Sequence, residues 1–147
     1  LFRSNVHQLK DRVARAFALE EQTERMRTSV VSFGFKYGLP LDVDMVLDCR
    51  FLPNPFWVPE LRPLSGLDEP VRDHVLGQDA AEEFLGRLRP LLETLVPAYS
   101  REGKAYLSLA FGCTGGRHRS VAIAEAVGRM LGGMGVSAEV SHRDIDR

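Results

Sequence analysis

The stretch from Ala105 to Val140 constrains the fold of this chain more than any other. Ala105–Phe111 is an apolar run of strand length, and Gly112-Cys113-Thr114-Gly115-Gly116-Arg117-His118-Arg119-Ser120 follows it. Ser120–Leu131 carries apolar residues at helical spacing, and Val136–Val140 reads as another strand. Strand, glycine-rich turn, helix and strand in that order form a βαβ unit. The unit predicts an α/β fold with a central, largely parallel β-sheet flanked by helices. Ligands of open α/β sheets bind at the carboxyl edge of the strands, where this turn lies.

The turn has the composition of an anion site. Gly112, Gly115 and Gly116 let backbone N–H groups curl inward without interference from a Cβ. The helix starting near Ser120 adds unpaired N–H groups and the positive end of its dipole. Arg117, His118 and Arg119 bring positive charge to the same place, and a guanidinium suits the forked geometry of phosphate. The expected ligand is therefore a phosphate-bearing small molecule.

A second chemistry fits the same residues. Cys113, Gly116, Arg119 and Ser120 obey C-x-x-G-x-x-R-[ST], which resembles the signature of cysteine-dependent phosphatases. In that alternative Cys113 is the nucleophile and Arg119 holds the phosphoryl oxygens. Gly112 stands where those enzymes usually carry His, and no Asp lies in a recognisable general-acid loop, although Asp48 and Asp68 sit near Pro-rich turns. The expectation is that this chain is not itself an enzyme and has no catalytic residues. No G-x-x-x-x-G-K-[ST] occurs, so no Walker A nucleotide site is expected, and no metal site has zinc-like spacing.

Upstream, Asn5–Leu19 reads as an amphipathic helix through Val6, Leu9, Val13, Ala16 and Phe17, with Ser4 or Asn5 as its cap. Ser29–Phe35 and Met45–Phe51 are predicted strands. Leu52–Pro70 contains five prolines and is expected to be a long ordered loop. Asp79–Tyr99 reads as a helix with Phe84, Leu88, Leu91, Leu92 and Leu95 on one side, kinked or broken at Pro90. Trp57 is expected to pack within the fold rather than to offer a stacking surface.

Asp48 and Arg50 end a predicted strand and would reach the glycine-rich turn as ligand contacts, or pair with each other. Asn54 is either a ligand contact or a self-capped turn. The net charge is −1, which gives no global attraction to nucleic acid. RNA binding would need a local patch of Arg117, Arg119, His142 and Arg143, with Arg147 beside them. Two cysteines, 64 positions apart, and no long apolar run point to a cytoplasmic location without membrane contact. The start at Leu1 suggests that a preceding segment has been removed.

Four blocks in order carry a family resemblance. They are Ser32-Phe33-Gly34-Phe35-Lys36-Tyr37-Gly38, Asp48-Cys49-Arg50-Phe51-Leu52-Pro53-Asn54-Pro55, Arg62-Pro63-Leu64-Ser65-Gly66-Leu67-Asp68, and Gly112 to Ser120. Together they resemble the RapZ/YvcJ family. The resemblance implies that residues 1–24 are a helix and linker from the end of an N-terminal P-loop NTPase domain. Residues 25–147 would be the C-terminal phosphosugar- or anion-binding domain. ATP or GTP would then belong to the first domain, and this chain would carry no cofactor. The resemblance further implies an amino-sugar phosphate such as glucosamine-6-phosphate at the Cys113–Ser120 loop, a small RNA and an RNase as partners, and a homo-oligomer. A third alternative is an RNA-binding adaptor domain without a small-molecule ligand. Phe56 stands where many members carry His, and the C-terminus lacks the strongly basic tail of the RNA-binding branch.

Overall fold

A computed structural model of the protein describes residues 6, 8–14 and 26–147. Helix α1 covers 8–14, inside the predicted Asn5–Leu19 segment, and Val6, Leu9 and Val13 are exposed. The remainder of that predicted helix, Ala16 and Phe17 included, lies outside the described residues. Four strands follow: β1 (Arg27–Gly34), β2 (Met45–Asp48), β3 (Tyr106–Cys113) and β4 (Ala138–His142). They form one sheet in the order β2-β3-β1-β4, and every pairing is parallel. The α/β reading holds. The β3 and β4 of the βαβ unit are not neighbours, because β1 lies between them.

The register explains how the carboxyl edge is built. Gly34 pairs with Cys113, Phe33 with Gly112, Ser32 with His142 and Asp48 with Gly112. All four strands therefore end at one edge. Val30, Leu107, Leu109 and Phe111 join one core with Leu88, Leu92 and Val96 of helix α3 (Asp79–Arg101) and with Ile123, Val127 and Leu131 of helix α4 (Arg119–Gly133). Burying each such side chain contributes about 1.5–3 kcal/mol.

Two expectations need correction. Helix α3 runs unbroken through both Pro90 and Pro97. A mid-helix proline costs about 3 kcal/mol, but Leu88, Leu92 and Val96, spaced four apart, stay buried across the site and outweigh it. Leu91, expected on that apolar side, is exposed. The Pro-rich segment is also less irregular than expected. It contains a 3-10 turn at Pro55–Trp57 and leads into helix α2 (Glu69–Leu76), whose Pro70 occupies the first turn, where a missing N–H is harmless. Val71 and Val75 of α2 are fully buried. No described helix is long and apolar enough to cross a membrane.

At the sheet edge, β1 and the glycine-rich turn come into backbone contact. A Cβ on Gly34 would lie 2.5 Å from the Gly115 carbonyl carbon, and Gly116 has φ +77°, a left-handed conformation. Both contacts are backbone on backbone, so neither side yields easily. We expect Gly34→Ala to lower stability by about 1–3 kcal/mol in chemical denaturation. Gly132→Ala, on α4 with open space around it, should instead gain up to about 1 kcal/mol.

Candidate anion-binding site

Strand β3 ends at Cys113 and α4 begins at Arg119, so residues 114–118 form the connecting loop. The first turn of α4 is sunk into the protein: Arg119 is 5% exposed and Ser120 fully buried. His118 takes the N-cap position without a side-chain cap bond. Among the described residues, no acceptor is found for the backbone N–H groups from Thr114 to Ser120. A buried helix start with free donors is unusual, because such groups are nearly always paired.

Arg119 adds to this. Its Nη1 donates to the carbonyls of Arg50 at 2.9 Å and Leu52 at 3.1 Å. Among the described residues, its Nη2 makes only a long 3.4 Å contact with the Thr114 hydroxyl, and its buried Nε has no partner. The anchored Nη1 fixes the guanidinium plane and leaves the Nε–Nη2 edge free. Cys113 Sγ and Ser120 Oγ lie 3.1 Å apart, both buried. Cys49 is a second buried thiol, which burial pushes up to about 12.

The other basic residues of the loop are structural. Arg117 donates to three carbonyls: Nη2 to Pro63 at 2.7 Å, Nη1 to Ile145 at 2.9 Å and Nε to Leu64 at 3.1 Å. His118 donates from Nε2 to the Arg62 carbonyl at 3.1 Å. Burial pushes its imidazole below the ordinary value, and the carbonyl contacts oppose this only in part.

On the other side of the loop, Asp144 is fully buried and accepts the Gly34 N–H at 2.8 Å. Arg143 lies 2.8 Å and Arg147 3.0 Å from its carboxylate. Burial raises the Asp144 carboxyl, but the Arg143 and Gly34 hydrogen bonds and the two positive charges hold it below its ordinary value.

A cavity of about 410 Å³ opens over the loop. Of the expected ligand contacts, Cys113, Thr114, Gly115, Arg117, His118, Arg119 and Asn54 line it, and Gly116 and Ser120 are not among its lining residues. Asp48 and Arg50 do not reach it. Arg50 is bound to Asp48 by a 2.7 Å ion pair and lies 4.0 Å from the Phe35 ring, and these bonds hold Asp48 below the usual carboxylate value. Arg50 serves the site only through its carbonyl, which holds Arg119. Asn54 also caps the turn after it, accepting the Phe56 N–H at 3.1 Å.

His142 lies elsewhere, between Ser32 Oγ at 2.7 Å and Glu125 Oε1 at 2.8 Å. Arg143 is held by Asp144 and by the Gly38 carbonyl. The structure therefore does not gather Arg117, Arg119, His142 and Arg143 into one exposed patch.

Five lining residues escaped the sequence reading as site residues: Lys36, Tyr37, Phe56, Trp57 and Arg62. Trp57, expected to pack inside, is 73% exposed at the cavity mouth. The signal was available in the Lys36-Tyr37 and Arg62 blocks, which are charged or aromatic residues at the ends of glycine- and proline-rich turns. A larger hollow of about 610 Å³ lies by Asp44 and Lys104, but these two neutralise each other in a 2.7 Å ion pair.

The family model of the RapZ C-terminal domain matches residues 26–146. The chain belongs to this family. It is 57% identical over 143 residues to a nucleotide-binding protein of Thermobifida fusca, covering 97% of this chain and 48% of that protein. A nucleotide-binding protein of Saccharopolyspora erythraea is 56% identical, with 97% and 49% covered. One from Trichlorobacter lovleyi is 54% identical, with 97% and 50% covered. The chain thus spans about half the length of the curated relatives it matches.

The lowered Asp144 carboxyl sets an acid limit on the architecture. Its stabilisation is complete above the unfolded-state value of about 3.9 and is lost as pH falls through the folded-state value. We expect Asp144→Asn to cost about 2–3 kcal/mol at pH 7. The gap between variant and parent in denaturant titrations should narrow below about pH 4.

Proposed function

We propose that the chain is the ligand-sensing part of a nucleotide-binding regulator and holds the phosphate of a phosphorylated metabolite on residues 114–120. The observation that carries this reading is the Arg119 guanidinium, 5% exposed, with its Nε unpartnered beside a row of unpaired amides. A buried cation without a carboxylate partner is costly, and an oxyanion is the group that completes it. Phosphate oxygens would accept from the loop N–H groups and from the Nε–Nη2 fork, at the positive end of α4. The Arg50 and Leu52 carbonyls keep that fork in place before the ligand arrives.

The resemblance to the RapZ/YvcJ family supports a phosphosugar as the ligand class. The relatives' description as nucleotide-binding proteins is placed, in this proposal, on the half of the protein that this chain does not span. Hydrolysis of ATP or GTP and a cytoplasmic location belong to the same proposal.

The phosphatase alternative lacks a partner for its leaving group. No carboxylate is among the described residues that line the cavity. Asp48 is closed on Arg50, and Asp68 accepts the Ser65 N–H at 2.8 Å. No comparable observation favours RNA: two of the four expected contact residues hold the loop from within, and His142 lies in the sheet.

Phosphate titration followed by amide NMR should move the resonances of Thr114 to Ser120 first. Arg119→Lys replaces the fork with a single ammonium and should weaken phosphate binding about tenfold or more in calorimetry. Unmoved loop amides would refute the site independently of any variant. Release of phosphate from an aryl phosphate that disappears in Cys113→Ser would favour the hydrolase instead.

A further inference from the structure

The cavity holds more positive charge than one phosphate can balance. Lys36, Arg62, Arg117, Arg119 and Arg147 line it, and no Asp or Glu is among the described residues that do. Asp144, behind Arg147, offsets at most one of these charges and is shared with Arg143. A phosphate ester brings about two negative charges. Arg117 and Arg119 are the less exposed of these cations, and Arg117 is already bonded to the Pro63, Leu64 and Ile145 carbonyls. Lys36 and Arg62 stand at the exposed rim and have no carboxylate partner among the described residues.

Both rim residues are tied to the loop through their backbones. The Lys36 N–H donates to the Thr114 carbonyl at 3.1 Å, and the Arg62 carbonyl accepts from His118. They therefore flank residues 114–118 from two different segments. Arg62 is also oriented in advance: its Nε donates to the Phe56 carbonyl at 2.7 Å, and its guanidinium lies 4.7 Å from the Phe56 ring. Among the described residues, its two terminal nitrogens have no acceptor.

Resting on the phosphate reading above, we infer that the ligand carries a second anionic group, a phosphate or a carboxylate, which Lys36 and Arg62 receive at the mouth. The part between the two anions is uncharged, because the described lining residues offer an ammonium no carboxylate there, only cations, aromatic rings and neutral groups such as Asn54 and Thr114. An amino group on a sugar phosphate therefore earns no additional affinity at this site. Like-charge crowding in a partly dehydrated cavity disfavours it, and no acid is present to pair with it. The exposed Trp57 and the half-exposed Phe56 offer apolar faces to the uncharged ring of such a ligand.

The test is calorimetry of the chain at constant ionic strength with glucose-6-phosphate, glucose-1,6-bisphosphate and glucosamine-6-phosphate. The bisphosphate should bind about tenfold or more tightly than the monophosphate. In Lys36→Gln/Arg62→Gln that ratio should fall towards one, and glucosamine-6-phosphate should bind no better than glucose-6-phosphate. Equal affinity for mono- and bisphosphate overturns the second subsite. A ratio that survives the double substitution overturns its assignment to Lys36 and Arg62, and a tenfold preference for the amine overturns the uncharged middle. If none of the sugars binds, or if Arg119→Lys leaves monophosphate affinity unchanged, the phosphate reading itself fails and takes the inference with it.

Discussion

Arg117 is the residue on which the architecture of the site depends. Its five N–H donors reach three carbonyls on two distant segments, Pro63-Leu64 and Ile145. A backbone carbonyl left unpaired in a half-buried position costs on the order of 1–3 kcal/mol, so one side chain satisfies what would otherwise be several penalties. It also ties both the Pro-rich segment and the C-terminal turn to the glycine-rich loop. The cavity is the space they leave between them. A lysine has the charge but not the planar fork, and could not hold three acceptors in these directions.

The division of labour among the cations follows from their partners rather than from their charge. Arg117 is consumed by carbonyls and Arg143 by Asp144 and Gly38, while Arg50 is closed on Asp48. Arg119 is half committed: one nitrogen is anchored and one edge is open. Anchoring removes rotamer freedom before any ligand is present, and that is the physical content of preorganisation.

How much of this was legible in the sequence follows from the range of each interaction. Strand, glycine-rich turn and helix are local features, and Ala105–Leu131 was readable from composition and periodicity. Gly112 to Ser120 reads as a candidate site for the same reason, since its donors and charges are contiguous. The partners of Arg117 lie 54, 53 and 28 positions away, and nothing local distinguishes a guanidinium that clamps carbonyls from one that meets a ligand. His142 reads as a candidate RNA contact because its neighbours are charged, yet its ring partners, Ser32 and Glu125, come from β1 and α4. Helix α2 was hidden by Asp68-Glu69-Pro70, which reads as a turn unless proline is recognised as a first-turn residue. The insertion of β1 between β3 and β4 is set by tertiary packing and leaves no local trace.

The bond between Asp144 and the Gly34 amide spans 110 positions, nearly the whole described domain. The first strand of the sheet and the final turn of the chain must therefore meet before the loop acquires its shape. Such a closure is entropically late, because long loops must be ordered before the contact rewards them. The loop residues consequently have no binding-competent geometry in a partly folded chain or in one still being synthesised. Only the completed domain offers the cradle, so ligand occupancy would favour the fully folded state over every partly assembled one.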